Sequence, residues 1–281
     1  MQKTSFLEIA AQFKVIFLDS YGVVKNHRGL IEGAPNTIGQ LKANGKQIRI
    51  LTNDASRSPK RQVEKFHRLG LAEIKEKEII TSGMMAKQFL ENKITKGRVA
   101  FLGTAESAQY IIDANLEALH IGRVDLENIE DISAFVFLDD EGFDWNFDIN
   151  TTVNLLRRRN IPVIVANSDK LYPVAKNDVA IATGGIAQLV GSILNRQFIQ
   201  FGKPDSQMFM YAFEQIRQQG DFTKQDILMV GDTLHTDILG GNKFGIRSAL
   251  VLTGNTRAEQ VETMIRATGI IPDYICDSIV R

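Results

Sequence analysis

The sequence predicts an α/β protein: a parallel-sheet core carrying a second, inserted α/β domain. Three observations predict this. Short apolar runs rich in β-branched residues alternate with longer segments of helical period, the pattern of βαβ units. Four polar segments that could carry chemistry are spread along the chain, and three of them directly follow such runs, where open α/β sheets place their sites. Between the second and third of these segments lies a wide gap, roughly residues 84 to 182, with strands and helices of its own.

Taken in order, the expected strands are Val15–Leu18, Gln47–Leu51, Val99–Leu102, Ala134–Leu138, Pro162–Ala166, Ile227–Val230 and Ser248–Leu252. Helical patterns fall at Ala34–Asn44, Ser58–Leu69, Asn150–Arg159 and Gln207–Gln218. Gly45 follows the first as a stop signal. Ser58-Pro59 reads as an N-cap and a first helical residue, and Asp205 or Ser206 can cap the last. No repeat, low-complexity tract or flexible linker interrupts the chain, so a second domain has to be an insertion on short hinges. Those hinges are expected near Ser82-Gly83 and Thr183-Gly184-Gly185. Residues 1–83 and 184–281 would then form the core, and residues 84–183 the inserted cap. One continuous sheet is the competing arrangement.

Composition narrows the function. The chain has 281 residues, 44% hydrophobic and 23% charged, with zero formal net charge. Zero charge gives no reason to expect nucleic acid or an anionic membrane as a partner. The lone cysteine, Cys276, excludes an internal disulfide framework and fits a reducing compartment. The apolar runs fall far short of the ~20 residues that span a bilayer. Residues Met1 to Lys14 lack the apolar core of a signal peptide. A cytoplasmic protein is the expectation.

The four polar segments form a coherent set. Asp19 ends the first apolar run, and a strand-end carboxylate can attack phosphorus to form an acyl-phosphate. Thr52 and Asn53 end the second run, where a hydroxyl and an amide can donate to a transferring phosphoryl group. Lys203, in the turn Gly202-Lys-Pro-Asp205, offers a fixed ammonium to phosphate oxygens and to the attacking carboxylate. Asp232 and Asp237 follow the run Ile227–Val230. With Asp19 they make an oxygen-rich site suited to Mg²⁺. Gly231 is read as a sharp backbone turn that lets Asp232 face the metal. Each segment alone reads more readily as an ordinary turn, cap or strand end; their order and strand-end placement argue for chemistry.

On these residues the chain resembles the haloacid dehalogenase superfamily of aspartyl-phosphate phosphatases. The matching segments are Asp19-Ser-Tyr-Gly-Val-Val24, Thr52-Asn53, Gly202-Lys-Pro-Asp205 and Gly231-Asp-Thr-Leu-His-Thr-Asp237 running on to Gly240-Gly-Asn-Lys-Phe-Gly-Ile246. Within that superfamily it is similar to the class IIA branch of sugar-phosphate and 4-nitrophenyl phosphatases. The branch matches are Glu32-Gly-Ala-Pro35, Ala166-Asn-Ser-Asp169 and Thr183-Gly-Gly-Ile-Ala187. The resemblance implies a Rossmann-like core, a large α/β cap, Mg²⁺, and hydrolysis of a small phosphorylated metabolite. It implies that Asp19 attacks and binds metal, that the main-chain carbonyl of Tyr21 binds metal, that Asp232 completes the protein ligands, and that Asp237 supports them directly or through waters. A homodimer formed through the cap is also implied.

One position departs from the pattern. Where these phosphatases usually carry a second aspartate as general acid and base, this chain has Tyr21. Such help is typically worth about 10²–10⁴-fold. A phenol, with a reference pKa of about 10 against about 3.9 for aspartate, is a conceivable acid but a poor base. Slow hydrolysis, transfer of the phosphoryl group elsewhere, and a non-hydrolytic phosphometabolite-binding or regulatory role all stay open. So does replacement of the missing group by Asp54 or a cap residue. Phosphorylation of Asp19 as a receiver-like signal is opposed by the large insertion. Arg57 could reach a substrate anion or stand in solvent. In the cap, the loop Asp139–Trp145 and the segment Asn167–Tyr172 are candidate specificity elements, with Phe143 and Trp145 able to stack on a substrate or pack in the cap. The Arg157-Arg-Arg159 run reads as a solvated helix end, and the four histidines show no metal-ligand spacing.

Overall fold

A computed structural model describes residues 5–175 and 178–280. Two compact units divide the chain. The first comprises residues 1–52, 59–80 and 203–281, and the second residues 53–58 and 81–202.

The chain opens with helix α1 (Phe6–Ala11) and strand β1 (Val15–Leu18), then a short hairpin, β2 (Lys25–Asn26) with β3 (Gly29–Leu30). Helix α2 (Ala34–Ala43), β4 (Gln47–Thr52), α3 (Pro59–Arg68) and β5 (Ile79–Thr81) follow. Every residue of β1 is buried, and β4 is buried from Ile48 to Thr52. Burial on both faces is what a parallel sheet under helices requires. Alternate residues share a face. Ile16, Leu18, Ile48 and Ile50 therefore pack together with Phe6 and Ile9 of α1, Ile38 and Leu41 of α2, and Val63 and Phe66 of α3.

The second unit contains α4 (Ser82–Lys93), β6 (Arg98–Leu102), α5 (Gln109–Ile112), β7 (Glu117–His120), β8 (Ile132–Phe137), α6 (Phe147–Arg158), β9 (Val163–Val165), the hairpin β10 (Leu171–Pro173) and β11 (Val179–Ile181), α7 (Thr183–Leu194) and β12 (Ile199–Gln200). Its five-stranded sheet has the order β12-β9-β8-β6-β7, and every pairing in it is parallel. The expected second hinge at residues 183–185 differs from this division. Ile186, Ala187 and Val190 of α7 are buried with Phe135, Phe137 and Val163 in the second unit's own core, and β12 extends its sheet. The return to the first unit falls at Gly202–Lys203. A two-residue strand leaves almost no periodicity to read, which hid this boundary.

The chain then adds α8 (Ser206–Arg217), β13 (Ile227–Gly231), α9 (Leu239–Phe244), β14 (Arg247–Val251), α10 (Val261–Thr268) and β15 (Tyr274–Cys276) to the first unit. Its six-stranded sheet has the order β15-β14-β13-β1-β4-β5. The expected α/β class, with a parallel core sheet and a separate parallel cap sheet inserted into it, is what the chain forms. Cys276 is buried in the core. Among the described residues, no helix is long and apolar enough to cross a membrane.

Candidate active site

The sheet places the acidic residues. β1 and β13 are parallel neighbours with Leu18 opposite Val230, so Asp19 and Asp232 leave adjacent strands at the same, carboxyl end. The Asp19 N–H donates to the Val230 carbonyl at 2.9 Å. On the other side of β1, Leu18 lies opposite Ile50, which brings the buried end of β4, Thr52, to the same edge. A π-helical turn at Leu234–Ile238 carries Asp237, and such one-turn irregularities often aim side chains at functional sites. The Thr233 N–H donates to Asp237 Oδ2 at 3.1 Å and fixes the turn's opening.

Lys203 joins the set. Its Nζ donates to Asp19 Oδ1 and to Asp237 Oδ1, each at 2.6 Å, and its side chain is 3% exposed. One ligand oxygen from each of Asp19, Asp232 and Asp237 lies within 4.8 Å of the other two. Two buried carboxylates and a partly buried one, set against the Lys203 ammonium, leave an excess of negative charge. Burial, opposed by Lys203 and reinforced by Asp237, raises the Asp19 pKa to about 7. Burial and the neighbouring Asp19 and Asp237 push Asp232 well above the usual carboxylate range. For Lys203, burial acts downward, but the Asp19 and Asp237 carboxylates outweigh it and the pKa rises. A compact all-oxygen donor set short of positive charge fits a hard divalent cation such as Mg²⁺.

Asp232 sits in a cradle that only glycines leave open. A Cβ on Gly22 would lie 2.3 Å from Asp232 Oδ2, and one on Gly254 would lie 1.9 Å from it. The Thr233 hydroxyl donates to Asp232 Oδ1 at 3.0 Å, and the Asn255 N–H donates to Oδ2 at 2.5 Å. The Asn255 carboxamide donates to Thr233 Oγ1, and the Thr253 hydroxyl bonds the Gly22 carbonyl. Thr253-Gly254-Asn255 lies outside the four polar segments that the sequence marks. The available signal was its place after the apolar strand β14, the same placement that marks Asp19, Thr52 and Asp232. Gly231 also has a different reason from the expected turn. Its φ is not positive, but a Cβ there would lie 2.1 Å from the Asp237 Cβ, so it is glycine because Asp237 folds back against it. Tyr21 lies in this unit, half-buried, and burial together with Asp232 raises its phenol above the ordinary value.

The remaining expected site residues belong to the second unit. Asn53 is buried, and its amide nitrogen donates to Asp169 Oδ1 at 2.9 Å and to Ser168 Oγ at 3.3 Å. Arg57 pairs with Glu106 at 3.1 Å and bonds Ser56. Asp54 accepts from the N–H and hydroxyl of Ser56. In the cap loop, Thr104 donates to Asp139 and Tyr172 donates to Asp140. Burial raises the Asp139 pKa to about 6, with Asp140 and Asp54 adding to the effect. The rings of Phe143 and Trp145 lie 5.6 Å apart, and Trp145 is about half exposed.

The chain is similar to known proteins along its length. A haloacid dehalogenase-like hydrolase model matches residues 16–117 and a HAD-hydrolase-like model matches residues 200–281. The crystal structure of a possible sugar phosphatase of the HAD superfamily from Cytophaga hutchinsonii is 53% identical, with a TM-score of 0.97 over 100% of this chain and 99% of that one. Glycerol-3-phosphate phosphatase from Gallus gallus is 28% identical over 96% of this chain and 91% of its own. A glycerol phosphate phosphatase from Mycobacterium tuberculosis, crystallised with magnesium, shares the fold at 22% identity, with a TM-score of 0.78 over 99% of this chain and 78% of that one.

Proposed function

The chain belongs to the haloacid dehalogenase superfamily, and from that premise we propose that it is a Mg²⁺-dependent phosphatase of a small phosphorylated metabolite, a sugar phosphate or a similar ester. The observation that carries the reading is buried Lys203 bonding both Asp19 and Asp237 within a cluster of three carboxylates. In this reading Asp19 attacks phosphorus, the ester P–O bond breaks, and the leaving alkoxide takes up a proton from solvent water. Water then attacks the aspartyl-phosphate, and the carboxylate of Asp19 is regenerated as inorganic phosphate departs. Lys203 holds Asp19 in its attacking position and faces the phosphoryl oxygens with positive charge. Thr52, at the buried end of β4, offers its hydroxyl to the same oxygens. Asp19, Asp232, Asp237 and the carbonyl of Tyr21 would hold Mg²⁺, which when bound neutralises charge on the phosphoryl group.

Tyr21 sets the rate. A phenol raised above its ordinary pKa is a poor base at neutral pH, so hydrolysis of the aspartyl-phosphate is slow. Pairing through the cap belongs to the same reading, supported by exposed apolar side chains on its surface: Val179 and Ile181 of β11 and Leu189 and Ile193 of α7. Sedimentation at micromolar concentration tests that pairing. For the activity, phosphate release is measured over a panel of sugar, glycerol and nitrophenyl phosphates, with Mg²⁺ and with chelator. Release only with Mg²⁺ supports the reading. Ligand-dependent stabilisation without release on any ester would favour a non-hydrolytic binding protein instead.

A further inference from the structure

The chain passes between its two units at Thr52–Asn53, Ser58–Pro59, Ile80–Thr81 and Gly202–Lys203. Two of these crossings adjoin residues proposed to handle the phosphoryl group, Thr52 and Lys203. Within the second unit, Asn53 meets the segments from three of the crossings. It begins one of them. Its carbonyl accepts from Ser82 Oγ at 2.7 Å, just inside another. A Cβ on Gly202, at the last, would lie 2.7 Å from Asn53 Oδ1, and Gly202 has φ +114°, so the carboxamide oxygen lies close against this glycine.

What fixes the carboxamide is Asp169. Asn53 Nδ2 donates to Asp169 Oδ1 at 2.9 Å and to Ser168 Oγ at 3.3 Å. A carboxylate accepts and cannot donate, so it admits one orientation of the amide, nitrogen toward Asp169 and oxygen toward Gly202. The bond is charge-assisted and Asn53 is 3% exposed, both of which strengthen it. Asp169 is itself anchored. Its N–H donates to Asn167 Oδ1, and its carbonyl accepts from the Gly184 N–H at the start of α7, each at 2.9 Å. A Cβ on Gly184 would come within 2.6 Å of the Ser168 and Asp169 carbonyls. Asp169 therefore sits on a rigid support and Asn53 follows it.

The geometry points to Asp169 as a positioning residue for the phosphoryl site, acting through Asn53 on the crossings that carry Thr52 and Lys203. The Asn53 carboxamide is then a clasp between chain segments and not a phosphoryl donor. The catalytic consequence rests on the phosphatase reading; the clasp itself does not.

The test uses the full chain as Asp169→Ala, Asp169→Asn, Asn53→Ala and the Asn53→Ala/Asp169→Ala double variant. Hydrolysis of p-nitrophenyl phosphate with Mg²⁺ is measured beside wild type and Asp19→Asn. Small misplacements of reacting groups cost up to about 100-fold, and we expect kcat to fall about tenfold or more in Asp169→Ala with KM within about twofold. Asp169→Asn keeps a carbonyl acceptor for the amide and should recover most of the loss. The double variant should be no slower than the slower single variant, because both remove one contact. In parallel, amide hydrogen exchange in Asp169→Ala should accelerate in peptides spanning Thr52–Asn53 and Gly202–Lys203 and stay unchanged at the far end of α7. An unchanged kcat, multiplying losses in the double variant, or unchanged exchange at both crossings would overturn the inference. If wild type releases no more product than Asp19→Asn, the phosphatase reading fails, and the exchange experiment alone decides the clasp.

Discussion

Replacing Lys203 with methionine removes its ammonium from the carboxylate cluster and nearly preserves volume. Two opposite-charge contacts at 2.6 Å disappear, and like charges remain within 4.8 Å of one another. At an effective dielectric of 20, unit charges about 4 Å apart interact by about 4 kcal/mol. Protonation and relaxation recover part of that, and removing one member of a buried pair costs about 3–5 kcal/mol. At roughly 2–4 °C per kcal/mol for a unit of this size, the melting temperature should fall by about 6–20 °C. The pH dependence has a definite sign. Asp19 already titrates at about 7 instead of 3.8, and without Lys203 it moves higher. The folded state then binds more protons than the unfolded chain, so stability present at low pH is lost as pH rises from about 4 through 7 and beyond. Calorimetry in chelator at pH 5 and pH 8 reads this directly. The deficit of Lys203→Met should be larger at pH 8, and Mg²⁺ should shrink it. Equal melting of wild type and variant at pH 8 in chelator would mean that Lys203 does not offset the carboxylate charge.

Other expectations are equally specific. Gly254→Ala places a Cβ 1.9 Å from Asp232 Oδ2, so Asp232 must shift, and the Mg²⁺ concentration for half-maximal activity should rise about tenfold or more, in the range for mutation of groups that orient ligands. Asp139, raised by burial from 3.8 to about 6, contributes stability that is present below about pH 4 and lost by about pH 6. Asp139→Asn should flatten the urea-unfolding stability of the second unit across that window, by up to about 3 kcal/mol; an unchanged slope would show that the shift is absent. Tyr21→Asp should raise kcat by about 10²-fold or more; no gain would mean another group already supplies the proton.

The parts of the molecule legible in its sequence were those with a strong local pattern. The strands Val15–Leu18 and Ile227–Gly231 came within a residue of expectation because both faces are buried and the runs are continuously apolar. Asp19 and Asp232 are legible as strand ends, Asp237 from the segment that follows Asp232, and Lys203 from its Gly-Lys-Pro turn, and the fold brings those four side chains together. What sequence hid was long-range. The return from the inserted unit lies about twenty residues beyond the expected hinge, since α7 is apolar enough to suit either unit and only its packing on Phe135 and Phe137 decides. The Asp232 cradle joins Gly22 to Gly254 across most of the chain, and no local pattern encodes such a meeting. Asn53 was legible as a polar strand end, but its partner Asp169 lies 116 residues away.

In the proposed reaction Asp19 takes the phosphoryl group. Its most direct test is acid-quenched turnover with Mg²⁺ and a reactive phosphate ester, followed by mass mapping of the peptide containing Asp19, with phosphate release measured for wild type and Asp19→Asn side by side. A phosphoryl adduct on Asp19 is expected in the wild type, and neither adduct nor phosphate release in the variant. Phosphate release by Asp19→Asn at the wild-type rate would contradict that role for Asp19.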